Sequence, residues 1–309
     1  MSDSTQSKKF IYIREVGPRE GVQSYKSVIP TEAKLQLLNL LDKANFKEIE
    51  ATALVRPDKV PQMADSDVIL QNLPIRSKGT FSALYLNDKG FIRSVGYKNI
   101  LTQGWIQSSV TETFLKKNSN QNFKQHFSSI NESVNLYRAN NCDLFGIMLS
   151  NSFGCNYEGA VTPSDVCNGV GKLITQLSKS NSVPKYIILA DTTGLGNPKS
   201  VEDTILLLRK EYTQIKIGLH LHDTRGLGIS NAYVGLRLDV DYFDSSIAGI
   251  GGCPFTPNAS GNIATEELVL LCESLGYETG IEHEFLKQAG LLALQLFKGK
   301  TSSRLSLTW

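Results

Sequence analysis

The segment KYIILADTTGLGNPKSVEDTILLLRKEYTQIKIGLHLHDTRG, residues 185–226, contains two short apolar runs joined by a stretch with helical spacing. Both runs, at 185–192 and 215–222, have the length and the isoleucine content of buried strands. A strand, a helix and a second strand in succession are typical of a parallel sheet. Polar residues end both runs, so the segment also shows where a functional site could lie.

The same alternation extends along almost the whole chain. Eight strands are predicted, at 9–16, 47–54, 79–86, 100–107, 144–150, 185–192, 215–222 and 241–248, and a stretch with helical spacing follows each. The clearest helices are predicted at 30–45, 123–141, 162–180 and 264–276. Eight such units fit a (β/α)₈ or TIM barrel, which typically needs about 250 residues. The competing doubly wound sheet usually has a GxGxxG turn after its first strand, and GPREG at 17–21 is not one.

The chain of 309 residues could form one domain or two. It contains no linker, low-complexity segment or internal repeat that would divide it. We therefore predict a single catalytic TIM-barrel domain over residues 1–309, with a C-terminal helical elaboration and with residues 1–8 disordered.

Composition argues against several classes of function. Hydrophobic residues at 41% and charged residues at 20% are ordinary for a soluble enzyme. The net charge of +2, without a long basic run, gives no support for a nucleic-acid partner. The polar N-terminus does not resemble a secretory signal, and no apolar stretch approaches a membrane span. Five scattered cysteines without a CxxC pair fit free thiols, so we predict a cytoplasmic protein without a membrane partner.

Two of the four histidines, His220 and His222, end the seventh predicted strand. Residues at i and i+2 of a strand project from the same face, so their imidazoles lie about 7 Å apart or less. Neighbouring imidazoles suit a divalent cation. A pair of hydrogen-bonded core histidines fits the pattern equally well, because two ligands do not complete a site.

Other polar residues follow the first two predicted strands, and barrel enzymes keep their active sites at the carboxyl ends of the strands. Arg19 and Glu20, in a predicted loop, offer an anion binder beside an oxygen ligand. Glu48 and Glu50 lie on one face of the second strand, where a buried carboxylate needs a partner such as Arg19. A solvated turn and a purely structural ion pair are the alternatives here.

The sixth and eighth strands add further candidates. Asp191 and Thr192 end the sixth strand, and SSIAGIGGCPFTPNASGN, residues 245–262, follows the eighth with four glycines around Cys253. A cysteine in such a loop can act as an acid or a nucleophile, although an isolated cysteine is more often inert. Asn262 could be a ligand or only the N-cap of the next helix. Convergence of polar groups from five strands on one face favours a metal-dependent barrel enzyme.

Four segments carry a family resemblance. EVGPREGVQ (15–23), IEATALVRPDKVPQMAD (49–65), LHLHDTRG (219–226) and DSSIAGIGGCPFTPNASGNIATEELV (244–269) together resemble the 3-hydroxy-3-methylglutaryl-CoA lyases, which are metal-dependent TIM barrels. Weaker similarity, including KTSSRL at 300–305, extends the resemblance from about residue 11 to about residue 305.

The resemblance implies a divalent cation, Mg²⁺ or Mn²⁺, held by Glu20, His220, His222 and Asn262. Family lyases usually have an aspartate where this chain has Glu20. Condensing relatives such as homocitrate synthase have a glutamate there, so the substitution is compatible with metal binding.

The resemblance also implies retro-Claisen cleavage of a tertiary 3-hydroxyacyl-CoA to acetyl-CoA and a 3-oxo acid such as acetoacetate. Arg19 would stabilise the enolate oxygen, Glu50 would hold Arg19 and move protons, and Cys253 would protonate the enolate carbon. The remaining predicted residues are Asp191 and His220 as catalytic, and Gln23, Thr192, Arg225, Gly251 and Gly252 as substrate-binding.

Two loop arginines, Arg56 and Arg225, depart from the family pattern. They could accommodate an acidic acyl group or the CoA phosphates, or they could be solvated. A Claisen-type synthase that joins acetyl-CoA to a 2-oxo acid is the alternative function, and a non-catalytic barrel is a second. The resemblance further suggests a homodimer with an acyl-CoA substrate.

Overall fold

The computed structural model describes residues 8–25, 27–76, 78–252, 261–299 and 301–308. Eight parallel strands within these ranges form one curled sheet in the order β3-β2-β1-β8-β7-β6-β5-β4. The strands are β1 (Tyr12–Glu15), β2 (Glu48–Ala53), β3 (Thr80–Leu84), β4 (Gly104–Ser109), β5 (Leu144–Ser150), β6 (Tyr186–Ala190), β7 (Lys216–His220) and β8 (Tyr242–Ser245). The backbone N–H of Leu101 donates to the carbonyl of Phe81 at 2.7 Å, which links β3 to the segment before β4. The predicted TIM-barrel fold is confirmed.

Helices cover the outside of the sheet. They are α1 (Gly17–Ser24), α2 (Thr31–Lys43), α3 (Ser66–Gln71), α4 (Asp88–Val95), α5 (Glu112–Ser119), α6 (Phe123–Ala139), α7 (Pro163–Ser178), α8 (Pro198–Glu211), α9 (Gly228–Arg237), α10 (Thr265–Ser274) and α11 (His283–Leu296). Outward-facing strand residues such as Ile49 and Leu219 are fully buried in the apolar layer between strands and helices, as is Leu221 just after β7. The neighbouring residues on these strands therefore point into the barrel.

Three details differ from the prediction. Residues 17–24 form α1 and not a loop, because Pro18 in the first turn is compatible with a helix start. The fourth strand was expected at 100–107 and instead covers Gly104–Ser109. Regular pairing of β7 ends at His220, and His222 forms an isolated bridge with Asn262, which precedes α10 and does not cap it.

The predicted disorder at 1–8 and the loop cysteine Cys253 lie outside the described residues, apart from Lys8. Within the described ranges, no helix has the length and apolarity needed to cross a membrane.

The interior of the barrel has two different ends. Five aromatic side chains fill its amino end, and we call them the aromatic floor: Tyr12, Trp105, Phe145, Tyr186 and Tyr242. The rings of Tyr12 and Tyr242 stack with centroids 4.9 Å apart. Charged side chains occupy the other end, next to the loops that follow the strands, and they form the candidate site.

Candidate active site and metal centre

A cavity of about 180 Å³ lies at the carboxyl end of the barrel. It is bordered by eight of the residues predicted from the sequence: Arg19, Glu20, Gln23, Glu50, Thr192, His220, His222 and Gly252. Polar residues from separate strands and loops therefore meet at one place, as the barrel interpretation requires.

Three donor atoms converge beside this cavity. Glu20 Oε1 lies 3.2 Å from His222 Nε2 and 3.5 Å from His220 Nε2. The two Nε2 atoms are themselves 3.3 Å apart. Both histidines are nearly inaccessible to solvent. All three donors lie within 4.8 Å of one another, so they could bind one metal ion together.

Asn262 supplies a fourth donor atom, an amide oxygen, next to this cluster. Its backbone pairs with that of His222, which places the two residues side by side. The side chain is fully buried, and Oδ1 has no hydrogen-bond partner among the described residues. A buried amide oxygen without a partner is costly. Two imidazoles, a carboxylate and this oxygen fit a divalent cation, which would supply the missing partner.

Buried charges fix the orientation of His220. Asp244 Oδ2 lies 3.0 Å from His220 Nδ1, and Arg14 donates two hydrogen bonds of 2.8 Å to the Asp244 carboxylate. A proton on Nδ1 that is held by Asp244 leaves the Nε2 lone pair free for a metal. These two supporting residues were missed by the sequence analysis, although a charge in the middle of a barrel strand is a signal that could have found them.

The site favours positive charge. Burial opposes ionisation of His220, but the carboxylates of Glu20 and Asp244 outweigh burial and raise the pKa of His220 to about 10. Burial likewise opposes ionisation of Glu20, yet Arg19 and His220 lower its pKa well below the usual range. An environment that stabilises a proton here would also stabilise a metal cation, which must displace that proton.

Arg19 lies between two carboxylates. Its Nε contacts Glu50 Oε2 at 2.5 Å, and its Nη1 lies 3.0 Å from Glu20 Oε2. The predicted pairing of Arg19 with Glu50 is present, although Arg19 projects from α1 and not from a neighbouring strand. Because Glu20 is also in the donor cluster, the guanidinium lies beside the candidate metal centre with its direction fixed.

The remaining predicted residues lie around this centre. Asp191 is buried outside the cavity lining and accepts hydrogen bonds from the N–H groups of Leu195 and Gly196. Thr192 borders the cavity, and its hydroxyl oxygen accepts a hydrogen bond from the N–H of Asn151. Among the atoms that the structure describes, the buried Gln23 Oε1 has no partner, so it can contact a ligand.

The glycines and the loop arginines differ in their distance from the cavity. Gly251 has φ 146°, and a Cβ there would lie 2.6 Å from the Asn262 amide nitrogen. Gly252 borders the cavity directly. Arg225 is exposed and does not line the cavity, and Arg56 is exposed in an ion pair with Asp58. The structure thus brings neither arginine to the candidate site.

Comparison with known proteins adds a family assignment. The model of the HMGL-like family matches residues 10–292 of this chain. The chain belongs to the HMGL-like family. It is 36% identical over 301 residues to the mitochondrial hydroxymethylglutaryl-CoA lyase of Mus musculus. The aligned region covers 96% of this chain and 89% of that relative.

Two solved structures of the same kind are similar over nearly the whole chain. The HMG-CoA lyase of Bacillus subtilis has a TM-score of 0.88 at 29% identity, covering 97% of this chain and 98% of the other. An HMG-CoA lyase from Acinetobacter baumannii, in complex with coenzyme A and 3-methylmalate, has a TM-score of 0.85 at 30% identity, with coverages of 96% and 94%. Family members of known structure therefore share both the fold and the length of this chain.

Proposed function

We propose that this chain is a divalent-metal-dependent carbon–carbon lyase that cleaves 3-hydroxy-3-methylglutaryl-CoA into acetyl-CoA and acetoacetate. Relatives named for this activity match almost the whole chain, and one of them is bound to coenzyme A. Within the structure, the proposal depends chiefly on the convergence of Glu20, His220 and His222 beside the Arg19 guanidinium.

Glu20, His220, His222 and Asn262 would hold Mg²⁺ or Mn²⁺. When bound, the cation would polarise the substrate's oxygens and lower the pKa of the tertiary hydroxyl. Asp244 keeps His220 in the required orientation. Because Glu20 pairs with Arg19 as well, the chain positions the metal ligands and the guanidinium together.

Other residues at the cavity would carry out the remaining steps of the reaction. A base takes the hydroxyl proton, the C2–C3 bond breaks, C3 becomes the ketone carbon, and the bond's electron pair forms the thioester enolate. Arg19 stabilises the enolate oxygen with a fixed positive charge. Glu50 holds Arg19 and takes part in proton transfer. A proton returned to the enolate carbon completes acetyl-CoA, and we assign this return to Cys253 on the family resemblance alone.

Several finer points remain predictions. The choice between Mg²⁺ and Mn²⁺, a homodimeric state and a cytoplasmic location follow from the sequence interpretation. Asp191, Thr192, Gln23, Gly251 and Gly252 are proposed to bind or surround the substrate because they border the cavity or the residues that form it.

A turnover assay tests the proposed function directly. Purified protein is mixed with 3-hydroxy-3-methylglutaryl-CoA and Mn²⁺ or Mg²⁺, and acetoacetate and acetyl-CoA are measured with and without a chelator. We expect metal-dependent release of both products. His222→Ala should lower turnover by more than about a hundredfold, because even residues behind metal ligands typically contribute about 10–100-fold.

His283→Ala is the matched control, because His283 is exposed and forms its ion pair with Glu273 on the surface. Its turnover should equal that of the wild type. Folded wild-type protein that binds metal but releases neither product would contradict the proposed substrate. Condensation of acetyl-CoA with a 2-oxo acid by such protein would favour the synthase alternative.

A further inference from the structure

A segment near the C-terminus, residues 301–306, contacts backbone carbonyl groups next to the candidate metal centre. It lies beyond the range matched by the family model, which ends at residue 292. The Ser302 hydroxyl lies 3.3 Å from the carbonyl oxygen of Gly249 and 3.2 Å from that of Asn262. A side chain from the end of the chain therefore reaches two backbone segments that border the site.

The first of these segments is a tight turn after β8. Ala248 and Gly249 have positive φ values of 55° and 59°. The Thr301 hydroxyl donates to the carbonyl of Ala248. The N–H of Ala248 donates to the Glu266 carboxylate at 2.9 Å. A Cβ on Gly249 would lie only 1.8 Å from Ser302 Oγ, so Ser302 packs where glycine alone leaves room.

The second segment carries Asn262 itself. The N–H of Ile263 donates to the carbonyl of Leu221 at 3.0 Å, which holds Asn262 beside His222. The Asn262 side-chain amide points its nitrogen toward the carbonyl of Ile250 at 3.5 Å. Both segments that Ser302 contacts therefore determine where the Asn262 amide oxygen lies.

We propose that Ser302 is a positioning residue that fixes the separation of Gly249 and Asn262 and so places the Asn262 amide oxygen for the cation. The inference rests on the proposed function, since it takes Asn262 as a metal ligand. Loss of the Ser302 hydroxyl removes a donor that the carbonyl oxygens of Gly249 and Asn262 share. The amide oxygen can then move away from His222 without unfolding the barrel.

The test measures Mn²⁺ affinity in the absence of substrate. Metal-free full-length protein is titrated with Mn²⁺, and the free ion is followed by its electron paramagnetic resonance signal. Ser302→Ala should raise the Kd by about tenfold, the lower end of the range for residues that support metal ligands. Ser303→Ala is the matched control, because Ser303 lies in the same segment and is even more buried than Ser302, but its hydroxyl oxygen accepts a hydrogen bond from the N–H of Ser306.

A double-mutant cycle separates positioning from a general structural effect. In an Asn262→Ala background, Ser302→Ala should leave the Mn²⁺ affinity unchanged, because the ligand that Ser302 positions is gone. An equal loss of affinity in both backgrounds would overturn the inference, as would equal affinities of Ser302→Ala and Ser303→Ala. If the wild type itself binds no Mn²⁺, the metal-dependent function fails and not only the role of Ser302.

Discussion

The two ends of the barrel interior are built from the same strands but from opposite kinds of side chain. Tyr12 and Tyr242 are paired in register on β1 and β8 and stack at the amino end. Two residues further along the same strands, Arg14 and Asp244 are paired in register and form a bidentate ion pair. Since residues i and i+2 face the same way, one step along the inner face changes an aromatic layer into a charged one.

The difference shows that a buried polar atom can lack a hydrogen-bond partner for two different reasons. The Tyr242 hydroxyl has no partner among the described residues, and it lies among aromatic rings that fill space. Asn262 Oδ1 also lacks a partner within the described ranges, but it lies beside two imidazoles and a carboxylate. We interpret the first atom as a cost of packing and the second as a candidate ligand for a cation.

The largest expected effect concerns the stability provided by the aromatic floor. Tyr242→Ala removes a fully buried ring that contacts Tyr12, Phe145 and Tyr186. We expect the free energy of unfolding to fall by about 3–5 kcal/mol, as for other large-to-small aromatic substitutions. Chemical denaturation measures this change, and the Mn²⁺ affinity of the folded fraction should remain close to that of the wild type.

Tyr242→Phe is the control for that substitution. It keeps the ring and removes only the hydroxyl, which has no partner within the described ranges, so stability should be retained or rise by up to about 1 kcal/mol. If phenylalanine destabilises the protein as much as alanine does, the floor depends on a polar contact and not on ring packing.

The next effect concerns catalysis at the charged end. Arg19→Met removes the guanidinium proposed to stabilise the enolate, so kcat should fall by about 10²–10³-fold, as for loss of one oxyanion donor. Stability should fall less than in Tyr242→Ala, and Mn²⁺ should still bind. Arg93→Met, on the surface beside Asp67, is the matched control and should keep full activity. Loss of Mn²⁺ binding in Arg19→Met would mean that Arg19 mainly supports the metal ligands.

The smallest effect concerns the pH dependence of stability. Tyrosines of the floor have pKa values raised by burial, so they do not titrate near neutral pH. Burial also raises the pKa of Glu266, from 4.5 to about 7, and this carboxyl supports the turn behind the metal centre. Because its pKa is raised, the carboxyl keeps its proton to a higher pH in the folded state than in the unfolded state. Stability is therefore lost as the pH rises from 4.5 through 7.

Glu266→Gln should remove that titration. Over this pH range, the free energy of unfolding of the wild type should fall by up to about 3 kcal/mol more than that of the variant, at about 1.4 kcal/mol per pKa unit. Denaturation curves at a series of pH values measure the difference. If the free energy of unfolding depends on pH in the same way in both proteins, Glu266 does not contribute this titration.

The sequence was sufficient to predict the barrel and much of the site. Alternating strand and helix patterns are local, and each of the strands β1–β8 overlaps the segment predicted for it. His220 and His222 could be placed on one face because the period of a strand fixes the direction of its side chains. Family motifs then connected Glu20 and Asn262 to the histidines, and the geometry brings all four residues together.

The supporting charges could not be predicted in the same way. Arg14, Asp244 and His220 lie in register across three neighbouring strands, and register between strands depends on the closed sheet and not on local sequence. The helix at 17–24 was missed because its proline and glycines are typical of a turn. Contacts of Ser302 with Gly249 and Asn262 join residues 53 and 40 positions apart, which no local pattern indicates.

The most direct test of the contrast between the two ends is a crystal structure of the protein grown with Mn²⁺, with anomalous scattering recorded to locate the ion. We predict one strong peak at the carboxyl end of the barrel, bordered by Glu20 Oε1, the Nε2 atoms of His220 and His222, and Asn262 Oδ1. A peak at any other place, or intact density for the four side chains with no ion between them, would contradict the assignment of this end of the barrel as a metal centre.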